Sequence, residues 1–147
     1  MLELNGAAAG RIFEYFERLS RVPHGSGNTK QISDICVEFA KENGLSVYQD
    51  SLNNVVIYKD ASAGYEGADP IILQGHLDMV CAKDPDCPID MEKEGIVLES
   101  DGEWIWAKGT SLGGDNGVAV AVIMAILSDN SLPHPPIEAV FTVDEET

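Results

Sequence analysis

Residues 70–76, Pro70-Ile71-Ile72-Leu73-Gln74-Gly75-His76, read PIILQGH: apolar, with none of the polar alternation of a strand that faces water on one side. A continuous apolar run of this length is the pattern of a strand buried on both faces, so it predicts a central strand of an α/β sheet. Further along, IEAVFTV (137–143) reads as a second buried strand. Between the two lies NGVAVAVIMAILS (116–128), which is apolar almost all round, as expected for a helix packed against a sheet.

Upstream, Ile12, Phe13, Tyr15, Phe16 and Leu19 recur at helical spacing, which predicts an amphipathic helix over roughly 6–20. The breaker PHGSGN (23–28) follows. Asn28 is then the expected cap of a second helix, with Ile32, Ile35, Cys36, Phe39 and Ala40 on one face and Gly44 at its end. LSVYQD (45–50) and NVVIYKD (54–60) read as strands joined at Leu52-Asn53-Asn54. Asp101-Gly102 between IVLES and EWIWAKG is a strong hairpin signal. Residues 61–69 and 82–95 read as loops. No repeat, low-complexity tract or linker divides the chain.

With 147 residues, 44% of them hydrophobic, the sequence suits one ordinary domain with a sizeable core. Its 25 acidic against 9 basic residues give a formal charge of −16, which repels nucleic-acid phosphates and anionic lipid. Neither is an expected partner. The longest strongly apolar run, Val118 to Leu127, is about half a membrane span. Cys36, Cys81 and Cys87 form no CxxC pair and leave one over in any disulfide scheme, and the N-terminus lacks the basic start and apolar core of a secretory signal. The expected setting is cytoplasmic.

Chemistry collects at three places. In GHLD (75–78), a continued strand puts His76 and Asp78 on one face, a spacing that suits a metal-binding His with a carboxylate beside it; the same pair also serves as a surface hydrogen bond. In SLGGDNG (111–117), Asp115 stands at the start of the apolar helix between glycines that permit close backbone approach, and an ordinary N-cap has the same appearance. In VDEET (143–147), adjacent carboxylates after a strand repel one another unless a cation neutralises them or a turn exposes them to water. Taken together, two clusters end strands and the third opens the helix between them. That edge is where open α/β sheets bind ligands, and imidazole with carboxylates is the donor set of a zinc or manganese hydrolase.

The same residues carry a family resemblance. HLDMV, GGDNG and VDEET, in this order, resemble the signatures of the co-catalytic dizinc aminopeptidases, carboxypeptidases and deacylases. RVPHGSGN (21–28), LNNVVI (52–57), ILQGHLDMVCAK (72–83), SLGGDNGVAVA (111–121) and FTVDEET (141–147) look like the aminoacyl-histidine dipeptidase branch. Where the wider family has a proline soon after HxD, this chain reads Val80-Cys81, which fits that branch better than the deacylases.

The resemblance implies a three-layer α/β/α zinc-peptidase-like domain with a mixed sheet and a β-hairpin, of which residues 1–147 are the N-terminal portion, the lid domain and the rest of the catalytic domain being absent. It implies two divalent metal ions, zinc first, with manganese or cobalt as alternatives. His76 binds one metal, Glu146 the other, and Asp115 bridges both. Glu145 is then the general base acting on a metal-bridging hydroxide, and Asp78 orients His76. The peptide bond after Asp115 is a candidate for the cis form. The implied reaction is hydrolysis of Xaa-His dipeptides.

Each metal is one protein ligand short on this count, since His24 and His134 sit apart and Asp144 points away. The isolated chain is therefore expected to show little or no activity. A related tripeptidase or deacylase is the enzymatic alternative. A non-catalytic metal-binding or interaction module, completing half-sites as a homodimer, is the alternative from another class.

Overall fold

The computed structural model describes residues 7–147, so the expected helix start at residue 6 lies outside the described residues. Helix α1 spans Ala7–Ser20 and α2 Lys30–Glu42. Strands β1 (Ser46–Gln49) and β2 (Val55–Lys59) follow, then β3 (Ile71–His76), the hairpin strands β4 (Leu98–Ser100) and β5 (Ile105–Ala107), helix α3 (Gly114–Ser128) and strand β6 (Ile137–Thr142).

The main sheet has the order β1-β2-β6-β3, and β4-β5 form a separate two-stranded sheet. β1 and β2, and β2 and β6, pair antiparallel, whereas β3 and β6 run parallel, so the sheet is mixed as expected. The β1–β2 turn carries Asn53 at φ 77, and the β4–β5 turn carries Gly102 at φ 94. Both are left-handed conformations that Asn and Gly tolerate.

All three helices lie on one face of this sheet. The register sets Val55, Ile57 and Lys59 beside Phe141, Ala139 and Ile137, and those beside Gly75, Leu73 and Ile71. A Cβ on Gly75 would meet Val120 of α3, Lys59 reaches carbonyls at the end of α3, and Gln49 of β1 donates to Ser33 of α2. The core between the layers contains Phe16, Leu19, Phe39, Ile57, Met124, Leu127 and Phe141, all buried. The described residues thus supply a sheet and one helical layer.

Two expectations are corrected. β3 is an edge strand of the described sheet, not a central one, and Ile72 on its helix-free side is 65% exposed. The apolar run reports a strand that carries hydrophobic side chains to both faces; it does not report what covers them. Asn28 does not cap α2. Thr29 holds the N-cap position without a side-chain bond, and Asn28 instead donates its amide to the Glu92 carbonyl at 2.9 Å. The interior strands are β2 and β6, and the residues of β6 alternate buried and half-buried.

Candidate metal centre

Because β3 and β6 are parallel neighbours with His76 opposite Thr142, the segments after them leave the sheet side by side. Pairing extends one residue further, through Leu77 N–H to the Thr142 carbonyl at 2.8 Å. This brings GHLD and VDEET to one edge. Helix α3 returns to the same edge at its N-terminus, where Gly113 (φ 67) turns the chain into the helix and Asp115-Asn116 is a cis peptide, as the resemblance implies. Asp115 departs from helical φ/ψ and does not act as a side-chain cap.

The three predicted ligands meet here. Ligand atoms of His76, Asp115 and Glu146 all lie within 4.8 Å of one another. His76 is buried, and its Nε2 stands 3.2 Å from Asp115 Oδ1 and 3.8 Å from Glu145 Oε2. Asp115 is 81% exposed and Glu145 58%, so the cluster opens to solvent on the carboxylate side.

The tautomer of His76 follows from its other nitrogen. Nδ1 lies 3.0 Å from the Asp78 backbone carbonyl, an oxygen that only accepts, so Nδ1 carries the hydrogen and donates it. In the neutral imidazole Nε2 is then the nitrogen free to ligate, and it faces Asp115 Oδ1 across 3.2 Å. Among the described residues the ion pairs of Asp115 and Glu145 are with His76 alone. The donor set therefore fits a divalent metal of the zinc or manganese type.

Asp78 has a different set of partners from the one its spacing suggests. Its side chain is fully buried, and Oδ1 is 3.5 Å from His76 Nδ1, beyond hydrogen-bond reach. The carboxylate instead accepts the Ser26 hydroxyl at 2.7 Å and the backbone N–H groups of Glu145 and Glu146, each at 3.1 Å. Burial pushes its pKa up, but these donors outweigh burial and hold it below the usual carboxylate range. Asp78 thus orients His76 through its backbone carbonyl and orients the Glu145-Glu146 turn through its side chain.

Asp144 points away from the cluster, as expected, with Oδ1 accepting the Gly27 N–H at 2.6 Å. His24 and His134 are both buried outside it, bonded to the Val22 and Pro135 carbonyls. Beside Glu146 opens a cavity of about 690 Å³, lined among others by Met79, Cys81, Met91 and Glu92.

No protein-family model matches the chain. The cytosol non-specific dipeptidase of Escherichia coli (strain K12) is 39% identical over 146 residues, 99% of this chain and 30% of that protein. The crystal structure of aminoacylhistidine dipeptidase from Vibrio alginolyticus superposes with a TM-score of 0.89 at 35% identity, covering 97% of this chain and 30% of the other. The chain is homologous to these dipeptidases. It spans about 30% of their length. A tripeptidase from Staphylococcus aureus shares the fold, with a TM-score of 0.73 at 24% identity over 93% of this chain and 37% of the other.

Sequence pattern does not single out Ser26 and Gly27, which the structure joins to Asp78 and Asp144. PHGSGN reads as a helix breaker, and what places it near the site is its contact with the distant Met79, Asp78 and Asp144. The available signal is a hydroxyl flanked by glycines, which lets backbone and side chain approach another segment closely. The cavity residues Met91 and Glu92 lie in a loop of ordinary polar composition that carries no such signal.

Proposed function

We propose that this chain is the N-terminal part of the catalytic domain of a metal-dependent dipeptidase that hydrolyses Xaa-His dipeptides. The observation that carries the reading is the convergence of His76, Asp115 and Glu146, whose ligand atoms all lie within 4.8 Å of one another. His76 and Asp115 would hold one divalent ion and Asp115 and Glu146 a second, zinc in the first instance and manganese or cobalt on the same donors. Bound metal supplies the Lewis acidity that makes water nucleophilic near neutral pH and polarises the scissile carbonyl.

The chain's own residues do the rest. Glu145 Oε2, at the solvent side of the cluster and 3.8 Å from His76 Nε2, is placed to take a proton from the attacking water and pass it to the leaving amine. Asp78 keeps the backbone of Glu145 and Glu146 fixed, so that the two carboxylates diverge to separate tasks. The cavity beside Glu146 gives a substrate side chain room. The three free cysteines and the dipeptidase relative named for the cytosol support a cytoplasmic setting.

Two measurements test the proposal. Zinc titrated calorimetrically into the 147-residue chain binds, and His76→Ala or Asp115→Asn weakens binding by at least 10–100-fold, about the size seen for lost metal-site interactions. Equal binding by wild type and both variants would sink the site. The whole protein containing this chain hydrolyses Ala-His faster than N-acetyl amino acids or tripeptides. The isolated chain turns over little, because His76, Asp115 and Glu146 supply fewer protein ligands than two closed metal shells need. Equal rates on Ala-His and on dipeptides without histidine would instead give it the breadth named for the Escherichia coli relative.

A further inference from the structure

The segment His24–Asn28 touches both metal-site strand ends without contributing a ligand. The His24 carbonyl accepts Met79 N–H at 3.0 Å, and Gly25 forms a parallel bridge with Met79. One residue on, Ser26 Oγ donates to Asp78 Oδ2 at 2.7 Å. The next residue, Gly27, donates its N–H to Asp144 Oδ1 at 2.6 Å, with φ 77 at Gly27 and φ 60 at Asp144. Asn28 anchors the far side on the Glu92 carbonyl. Gly25 is confined by the same packing, since a Cβ there would lie 2.6 Å from Cys81 Sγ.

These bonds close a ring: Ser26 to Asp78, Asp78 to the amides of Glu145 and Glu146, Asp144 to Gly27, and back to Ser26. We infer that Ser26 and Asp144 are positioning residues, a clamp by which this loop fixes the turn that aims the Glu145 and Glu146 carboxylates at His76 and Asp115. The reasoning is geometric. The turn follows the last strand residue, Thr142, and the ladder ends there, so the main-chain contacts of the strand no longer hold it. Asp144 in a left-handed conformation reverses the chain, and the acceptor it directs at Gly27 fixes how far that reversal goes. Asp78 accepts from both following amides, and the Ser26 hydroxyl fixes the plane of the carboxylate that does so. Neither Ser26 nor Asp144 reaches the cluster itself.

The clamp's function rests on the dipeptidase reading, whereas its existence does not, and the two are tested separately. Amide hydrogen exchange of the 147-residue chain, read by NMR without metal, reports the clamp. Ser26→Ala speeds exchange at Glu145 and Glu146 by about 10-fold, the weight of a hydrogen bond to a charged group, while amides of α3 and β6 are unchanged; Ser26→Thr restores protection. Asp144→Gly keeps the left-handed backbone accessible but deletes the acceptor, so it speeds the same amides, and Asp144→Asn, which keeps an acceptor and tolerates positive φ, does not. Zinc titration of the same variants shows affinity lost by about 10–100-fold in Ser26→Ala and Asp144→Gly and retained in the two conservative variants. Unchanged exchange at Glu145 and Glu146 in both deletion variants overturns the clamp. Absence of zinc binding by the wild type, with the exchange pattern intact, overturns the metal-site reading and leaves the clamp standing.

Discussion

At His76 and Asp78, one residue does the work of two. Asp78 offers a backbone carbonyl that fixes the imidazole and a buried carboxylate that collects three donors. Replacing it by asparagine puts an NH₂ where an oxygen now accepts, so at least one donor is left facing another donor. Asp78→Asn should therefore cost about 1.5–3 kcal/mol, the range for hydrogen bonds to a charged group, read as a lower urea midpoint at unchanged slope. A loss below half a kilocalorie would mean that the turn and loop adjust freely. His24 supplies a pH test nearby. Burial lowers its pKa, against the opposing pull of the Val22 carbonyl and the Asp78 charge. The folded state thus gives up this proton more readily than the unfolded chain does. Stability is complete above the unfolded value of 6.5 and is lost as pH falls through it toward the folded pKa. Urea midpoints at pH 7.5 and pH 5.5 should accordingly fall less for His24→Gln than for the wild type; equal falls would assign the acid loss to other groups. Cys36 gives a third residue-scale check, since burial pushes its thiol up to about 12. A disulfide-exchange reagent should label exposed Cys81 in the native protein and reach Cys36 only on unfolding.

At the scale of elements, α3 is held at both ends by residues whose roles differ in legibility. Its apolar sequence predicts a helix packed against the sheet, and it buries Val120, Ala121, Ile123, Met124 and Leu127 there while Val118 is 46% exposed. The device at its C-terminus is not predictable from pattern, because it depends on a lysine 68 residues from Leu127 in sequence. Lys59 Nζ, buried beneath the sheet, donates to the carbonyls of Leu127 at 2.8 Å and Asp129 at 2.9 Å, where unpaired helix carbonyls need a partner. Lys59→Met keeps the stem but leaves those carbonyls unsatisfied, so it should destabilise the chain by about 1–3 kcal/mol in urea titration; a neutral result would show that water reaches the helix end. GHLD, GGDNG and VDEET are legible because metal chemistry restricts residue type and order, and their convergence follows from parallel strands with a helix between. The covering of β3 and the bonding of Asn28 and Ser26 are illegible because they depend on partners distant in sequence. An apolar run says how much a strand would gain by burial, not which neighbour provides it.

For the molecule as a whole, that distinction leaves an exposed consequence. Helices cover one face of the main sheet, while the other carries Tyr48, Val56, Val140 and Gln74 in one cross-strand row, and Ser46, Tyr58, Glu138 and Ile72 in the next. Tyr48 is 60% exposed and Ile72 65%, and Ile72 belongs to an edge strand whose outer backbone groups lack a ladder partner among the described residues. An apolar sheet face beside an open edge favours association. Opposing this is the formal charge of −16, which makes copies of the chain repel one another at low salt. The two effects differ in range: surface repulsion is screened within about 8 Å at physiological ionic strength, whereas apolar burial is not. Sedimentation velocity of the 147-residue chain should therefore show association that grows with protein concentration and with added sodium chloride. Ile72→Lys with Tyr48→Lys, both outside the core, should keep the chain monomeric under the same conditions. Association that weakens as salt is added, or that survives both lysines, would place the contact elsewhere and make it electrostatic rather than apolar in origin.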